Sequence, residues 1–233
     1  MIARSFVVLT SLFLWAGATF GQTISTSLPA QRVSLSATAS VQVNQDWLTV
    51  SLTTAREGAD PQTVQGQLKV ALDTALALAK RDARPGQMEV RTGRFGLVPR
   101  YAREGKLTGW QGTAELILEG QDIARISATA GKLQTLTVAN MSFGLTPVQR
   151  QTAQASAQSQ AIALFRQRAG EITRSFDLTG YTLGEVTVNF DDGGYTPRPM
   201  MMAARAMSAD AAVPVEAGLT SVSVTVSGSV QLK

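Results

Sequence analysis

The stretch 146–190, TPVQRQTAQASAQSQAIALFRQRAGEITRSFDLTGYTLGEVTVNF, decides the fold. Thr146 offers a hydroxyl cap, Pro147 sits at the first helical position, and Gln149 stands where a capping box places its return donor. Val148, Ala155, Ile162, Phe165, Ala169, Ile172 and Phe176 then recur at spacings of seven, three and four, one face of a helix about 40 Å long. Tyr181, Leu183, Val186 and Val188 follow as a strand. An apolar stripe of that length requires a sheet to rest on, so Val148, Ile162, Phe165 and Ile172 are expected in the core. The second alanine row, Ala153, Ala157 and Ala161, is then a candidate assembly surface.

The sheet is supplied by the flanking sequence. Val33, Leu35, Ala37, Ala39, Val41 and Val43 alternate with polar residues as a strand with one buried face. Asn44-Gln45-Asp46 reads as a turn into the alternating Leu48, Val50 and Leu52, so the pair is expected to be a hairpin. Asp60-Pro61 caps a helix with an apolar face of Val64, Leu68, Ala71, Leu72, Ala75 and Ala79, ended by Arg84-Pro85-Gly86. Strands are expected from Met88 to Tyr101 and from Leu107 to Glu119, a short helix from Asp122 to Leu133, and a strand from Val138 to Leu145. The chain closes on Val222, Val224, Val226, Gly228 and Val230. The order is ββαββαβαββ: an α+β domain with helices packed on an antiparallel or mixed sheet and one long helix at about 147–176.

Residues 1–21 have a single basic residue, Arg4, a thirteen-residue apolar run and small residues before Gln22, the layout of a secretory signal peptide cleaved after Ala18 or, preferably, Gly21. Residues 22–32 read as a leader segment and 33–233 as a single domain. Within it, 191–217 is a Gly, Pro and Met-rich segment expected to be a flexible loop. The signal-peptide layout of residues 1–21 implies export. The net charge of +4 is too small to argue for nucleic acid. The 233 residues include neither histidine nor cysteine, which excludes Ser-His-Asp and Cys-His catalysis, zinc sites built on those ligands, and a disulfide framework.

Several of these pieces, in this order, resemble the SIMPL domain family, bacterial periplasmic and outer-membrane-associated immunogenic proteins with a eukaryotic kinase-interacting relative. The resemblance rests on the Val33 to Val43 strand with Asp46 after it, Val90-x-Thr92 leading to Pro99-x-Tyr101, and Gly109-Trp110. Met141-x-Phe143-x-Leu145, Ala161 to Ala169, Leu183-Gly184-Glu185-Val186 and Glu216-x-Gly218 complete it. Asn44-Gln45 departs from the Lys-Pro frequent before that aspartate, and Asp177 stands where a glycine commonly ends the long helix. The resemblance implies an exported, non-enzymatic envelope protein that in some relatives forms ring-like or channel-like oligomers linked to stress defence. It supplies no catalytic residues and implies no cofactor.

Two clusters remain as candidate sites. Met200, Met201, Met202 and Met207 are soft thioethers suited to Cu(I) or to reversible oxidation, or a contact surface. Arg91, Arg94, Arg100, Arg103 and Lys106, interleaved with Phe95 and Tyr101, suit an anionic membrane surface or a neighbouring subunit. Asp191 and Asp192 before a glycine pair lack the rest of a calcium loop. Glu115 and Glu119 share one strand face and read as surface charges. The expected function is association, as a homo-oligomer or with an envelope partner. The rival is a small ligand held between the sheet and the long helix.

Overall fold

The computed structural model describes residues 31–191 and 215–233. The ten elements follow the expected order: β1 (Arg32–Asn44), β2 (Trp47–Gly58), α1 (Pro61–Asp82), β3 (Glu89–Tyr101), β4 (Leu107–Gly120), α2 (Ile123–Lys132), β5 (Thr137–Gly144), α3 (Pro147–Ser175), β6 (Tyr181–Asp191) and β7 (Leu219–Leu232). They form two antiparallel sheets, of order β1-β7-β6 and β3-β4-β2-β5.

β1 and β2 are therefore no hairpin. β1 pairs with β7 over thirteen unbroken positions, and β2 lies between β4 and β5. The reason is local: a two-residue hairpin turn needs positive φ, and none of Asn44, Gln45 and Asp46 adopts it. The chain steps between sheets instead. The Gln45 N–H donates to Gly218 O beside β7, and the Asp46 N–H to Gly144 O at the end of β5. The Asp46 carboxylate then accepts from both the N–H and the hydroxyl of Thr146, each at 2.7 Å, which fixes the start of α3. Asp46 thus takes the Thr146 amide that a capping box would have given to Gln149.

Each sheet has a helical layer on one face and its own core. On the four-stranded sheet, Leu48, Val50, Leu52, Leu116 and Leu118 pack against Ala75 and Ala79 of α1 and Ile126 and Ala130 of α2. Gly112 lets α1 lie close on β4, since a Cβ there would stand 2.5 Å from Leu68 Cδ1. On the three-stranded sheet, Ala37, Ala39, Val224, Val226 and Val230 pack against Ala157, Ala161, Phe165 and Ala169 of α3.

That second core corrects the expected helix face. Ala153, Ala157 and Ala161, the candidate assembly row, are buried, whereas Val148 is 75% and Ile162 37% exposed. Phe165 is buried and Ile172 half-buried, as expected. The i, i+4 row inclines across a helix and here follows the twisted sheet. The sheet's valines already fill the interlayer space, so alanine is the side chain that brings α3 down onto it. α3 ends with Asp177 at φ 57, its N–H on Arg174 O and the Leu178 N–H on Thr173 O, the double bond of a Schellman ending with aspartate in the glycine position.

Candidate functional site

The five basic residues do not form one patch. At about 3.3 Å per residue, Arg91 and the hairpin end near Arg103 stand roughly 30 Å or more apart along β3. Arg91 is held on the open face of the four-stranded sheet by Glu119, at 2.7 Å, and Arg100 by Glu57. The Glu119 carboxylate pushes the Arg91 guanidinium above its ordinary range. Arg103 and Lys106 lie in the turn beyond Tyr101, exposed and without an ion pair among the described residues.

Arg94 belongs to a third arrangement. The β3–β4 register shifts between Thr92 and Phe95, and the Glu115 carboxylate enters that bulge, accepting the Arg94 N–H at 2.9 Å and the Ser51 hydroxyl from β2. Those donors, the Arg94 amide foremost, lower the Glu115 pKa. Gly93 leaves the room, because a Cβ there would lie 2.4 Å from the carboxylate oxygen. Glu115 and Glu119 are thus more than bare surface charges: each bonds to β3 from β4.

The three-stranded sheet presents a different open face. Ser36 and Ser227, Thr38 and Thr225, and Ser40 and Ser223 pair their hydroxyls across β1 and β7 at 2.8–3.0 Å. The bond from the Leu232 N–H to Gln31 O sets the phase of the ladder, so odd-numbered β1 residues bond to β7 and even-numbered ones, from 32 to 44, turn their N–H and C=O outward. β1 ends the sheet, so among the described residues those groups face no neighbouring strand. Arg168 of α3 reaches over this edge and donates to the Ser36 carbonyl.

The other edges carry the devices that discourage strand addition. β3 has its bulge, Pro99 and a row of arginines; β5 is eight residues long and its ladder with β2 shifts at Ser51/Leu52; β6 has a bulge between Leu183 and Val186. β1 has thirteen residues, no bulge, no proline and one charge, at Arg32. Sequence reading missed this edge because it assigned β2 as the partner of β1. The available signal was the missing glycine at 44–46.

Between the three-stranded sheet and α3, where the small-ligand reading places its site, Ala157, Ala161, Phe165, Val224 and Val226 pack into one apolar cluster. Two open clefts lie elsewhere. One of about 490 Å³ is lined by Arg32, Ser36, Glu185 and Ser229, and one of about 470 Å³ by Arg56, Gln67 and Thr135. Met200, Met201, Met202 and Met207, Asp192, the signal-like residues 1–21 and most of the 191–217 segment lie outside the described residues, although Asp191 closes β6.

A family model described as SIMPL, protein of unknown function (DUF541), matches residues 33–230. No curated protein matches the chain.

Proposed function

We propose that this chain, which belongs to the SIMPL family, is an exported envelope protein that acts by association rather than catalysis, adding a strand of a second copy to its β1 edge. The β1 edge carries this reading. It is long, unbroken and uncharged along most of its length, the form of edge that templates strand addition. Export is supported by the basic, apolar and small-residue order of the first 21 residues. A non-catalytic role is supported by a sequence without histidine or cysteine and by acidic side chains on the open sheet face that are already engaged in structural bonds. A part in stress defence would be exercised by the assembled form.

Light scattering on the mature chain at micromolar concentration tests this. A defined oligomer whose mass falls on dilution supports it; a monomer at every accessible concentration overturns it.

A further inference from the structure

We propose that the end of the β3–β4 hairpin docks on the surface of an anionic phospholipid bilayer. β2 stops at Gly58, paired with Trp110, so the last pairs of the hairpin, Arg100 with Gly109 and Tyr101 with Leu107, project beyond the third strand. The projection is built, not frayed. The Gly105 N–H donates to Ala102 O at 2.9 Å and the Ala102 N–H to Lys106 O at 2.8 Å. Gly105 takes φ 77, a conformation any other residue would adopt only with strain.

This rigid end carries two kinds of side chain that water alone does not favour together. Tyr101 and Leu107, paired across this end, are 63% and 48% exposed, two large apolar side chains on the last pair of the hairpin. Arg103 and Lys106 flank them in the turn, opposed there by Glu104 alone. Glu57 offsets Arg100, and Arg94 lies close enough to Glu115 to help lower that carboxyl's pKa, so neither adds free charge at the tip. Basic groups near an anionic leaflet gain from its surface potential, and an aromatic ring with a polar end suits the headgroup level. The charge is too small to hold the protein alone, and two side chains bury too little area alone. Together they supply the two signals that reversible membrane attachment needs. The commitment to lipid over a protein partner follows from this pairing of unpaired cations with an aromatic at a projecting tip, where little flat area exists for a protein interface.

Co-sedimentation of the mature chain with phosphatidylglycerol–phosphatidylcholine vesicles, against phosphatidylcholine alone, reads this directly. Binding to the anionic vesicles only, weakened by salt, is expected. Arg103→Gln with Lys106→Gln should weaken it about 25-fold, about fivefold per charge. Tyr101→Trp keeps the aromatic and reports insertion: its emission should move to the blue with the anionic vesicles and stay unchanged with the neutral ones. Equal binding to both vesicles, no binding to either, or full binding by the double variant overturns the proposal. None of these outcomes bears on β1, so assembly through that edge stands or falls separately.

Discussion

The two sheets solve the same packing problem and leave opposite surfaces. Both cover one face with helix and leave one face open. The four-stranded sheet defends its open face and outer strand with ion pairs, a keyed bulge and proline: Arg91 with Glu119, Arg100 with Glu57, Glu115 in the Gly93-Arg94 bulge. The three-stranded sheet has a hydroxyl ladder on its open face and, at its edge, a long β1 without bulge or proline, crossed by Arg168 at Ser36. A long edge without a bulge or proline, in a molecule whose other edges are short or bulged, is the place to expect a partner.

The sharpest way to break the comparison is to empty one core. Phe165→Ala removes the largest buried side chain under α3 and should cost about 3–5 kcal/mol. Hydrogen exchange should show lost protection in β1, β7 and β6 with β2 and β4 retained. Simultaneous loss in both sheets would mean that the two cores unfold as one unit.

Acid should act on the other half. Asp60, Asp82, Glu115 and Asp122 have pKa values lowered respectively by bonds from Thr63, Lys132, the Arg94 amide and the Arg125 amide, and all four belong to the α1, α2 and β4 side. A carboxyl lowered in the folded state stabilises above its unfolded pKa, near 4, and loses that contribution as pH falls through the folded value. Below about pH 4, protection in the four-stranded sheet should therefore fail first. Earlier failure of β1 and β7 would contradict this.

Glu115→Ala is a smaller perturbation of the same half. It strips the bulge of its acceptor and should cost about 1 kcal/mol in a thermal melt. An unchanged melt would show that the bulge holds without its key. The smallest effect belongs to the α3 ending, where Asp177→Gly should stabilise by about 0.5–1 kcal/mol by relieving a side chain in the left-handed region; a lower melting temperature would show the aspartate contributing a compensating bond.

Much of this was legible in the sequence. Element order, both proline-opened helices and the alternation of β1, β2 and β7 follow from local pattern, and Asp60 caps α1 as read, accepting from the Thr63 N–H. Pairing was not legible, because alternation gives a strand its faces and not its neighbours. The partners of β1 and β7 lie near opposite ends of the chain, and only the absent turn glycine hinted that β1 and β2 part company. The face of α3 was misassigned because burial was counted by side-chain size, while contact with a valine-rich sheet selects alanine. The basic cluster was found as a composition, but its division into paired and free charges depends on Glu57 and Glu119, which only the β-sheet brings alongside.

The account's central claim is tested most directly by the solution mass of Thr38→Pro. The Thr38 N–H points outward, so proline removes no backbone bond to β7, only the exposed hydroxyl pairing with Thr225, and should leave monomer stability within about 1 kcal/mol. It does place a ring and no donor in the middle of the free edge. The account predicts a folded protein with its assembly lost; a folded variant that still assembles like the parent would contradict it.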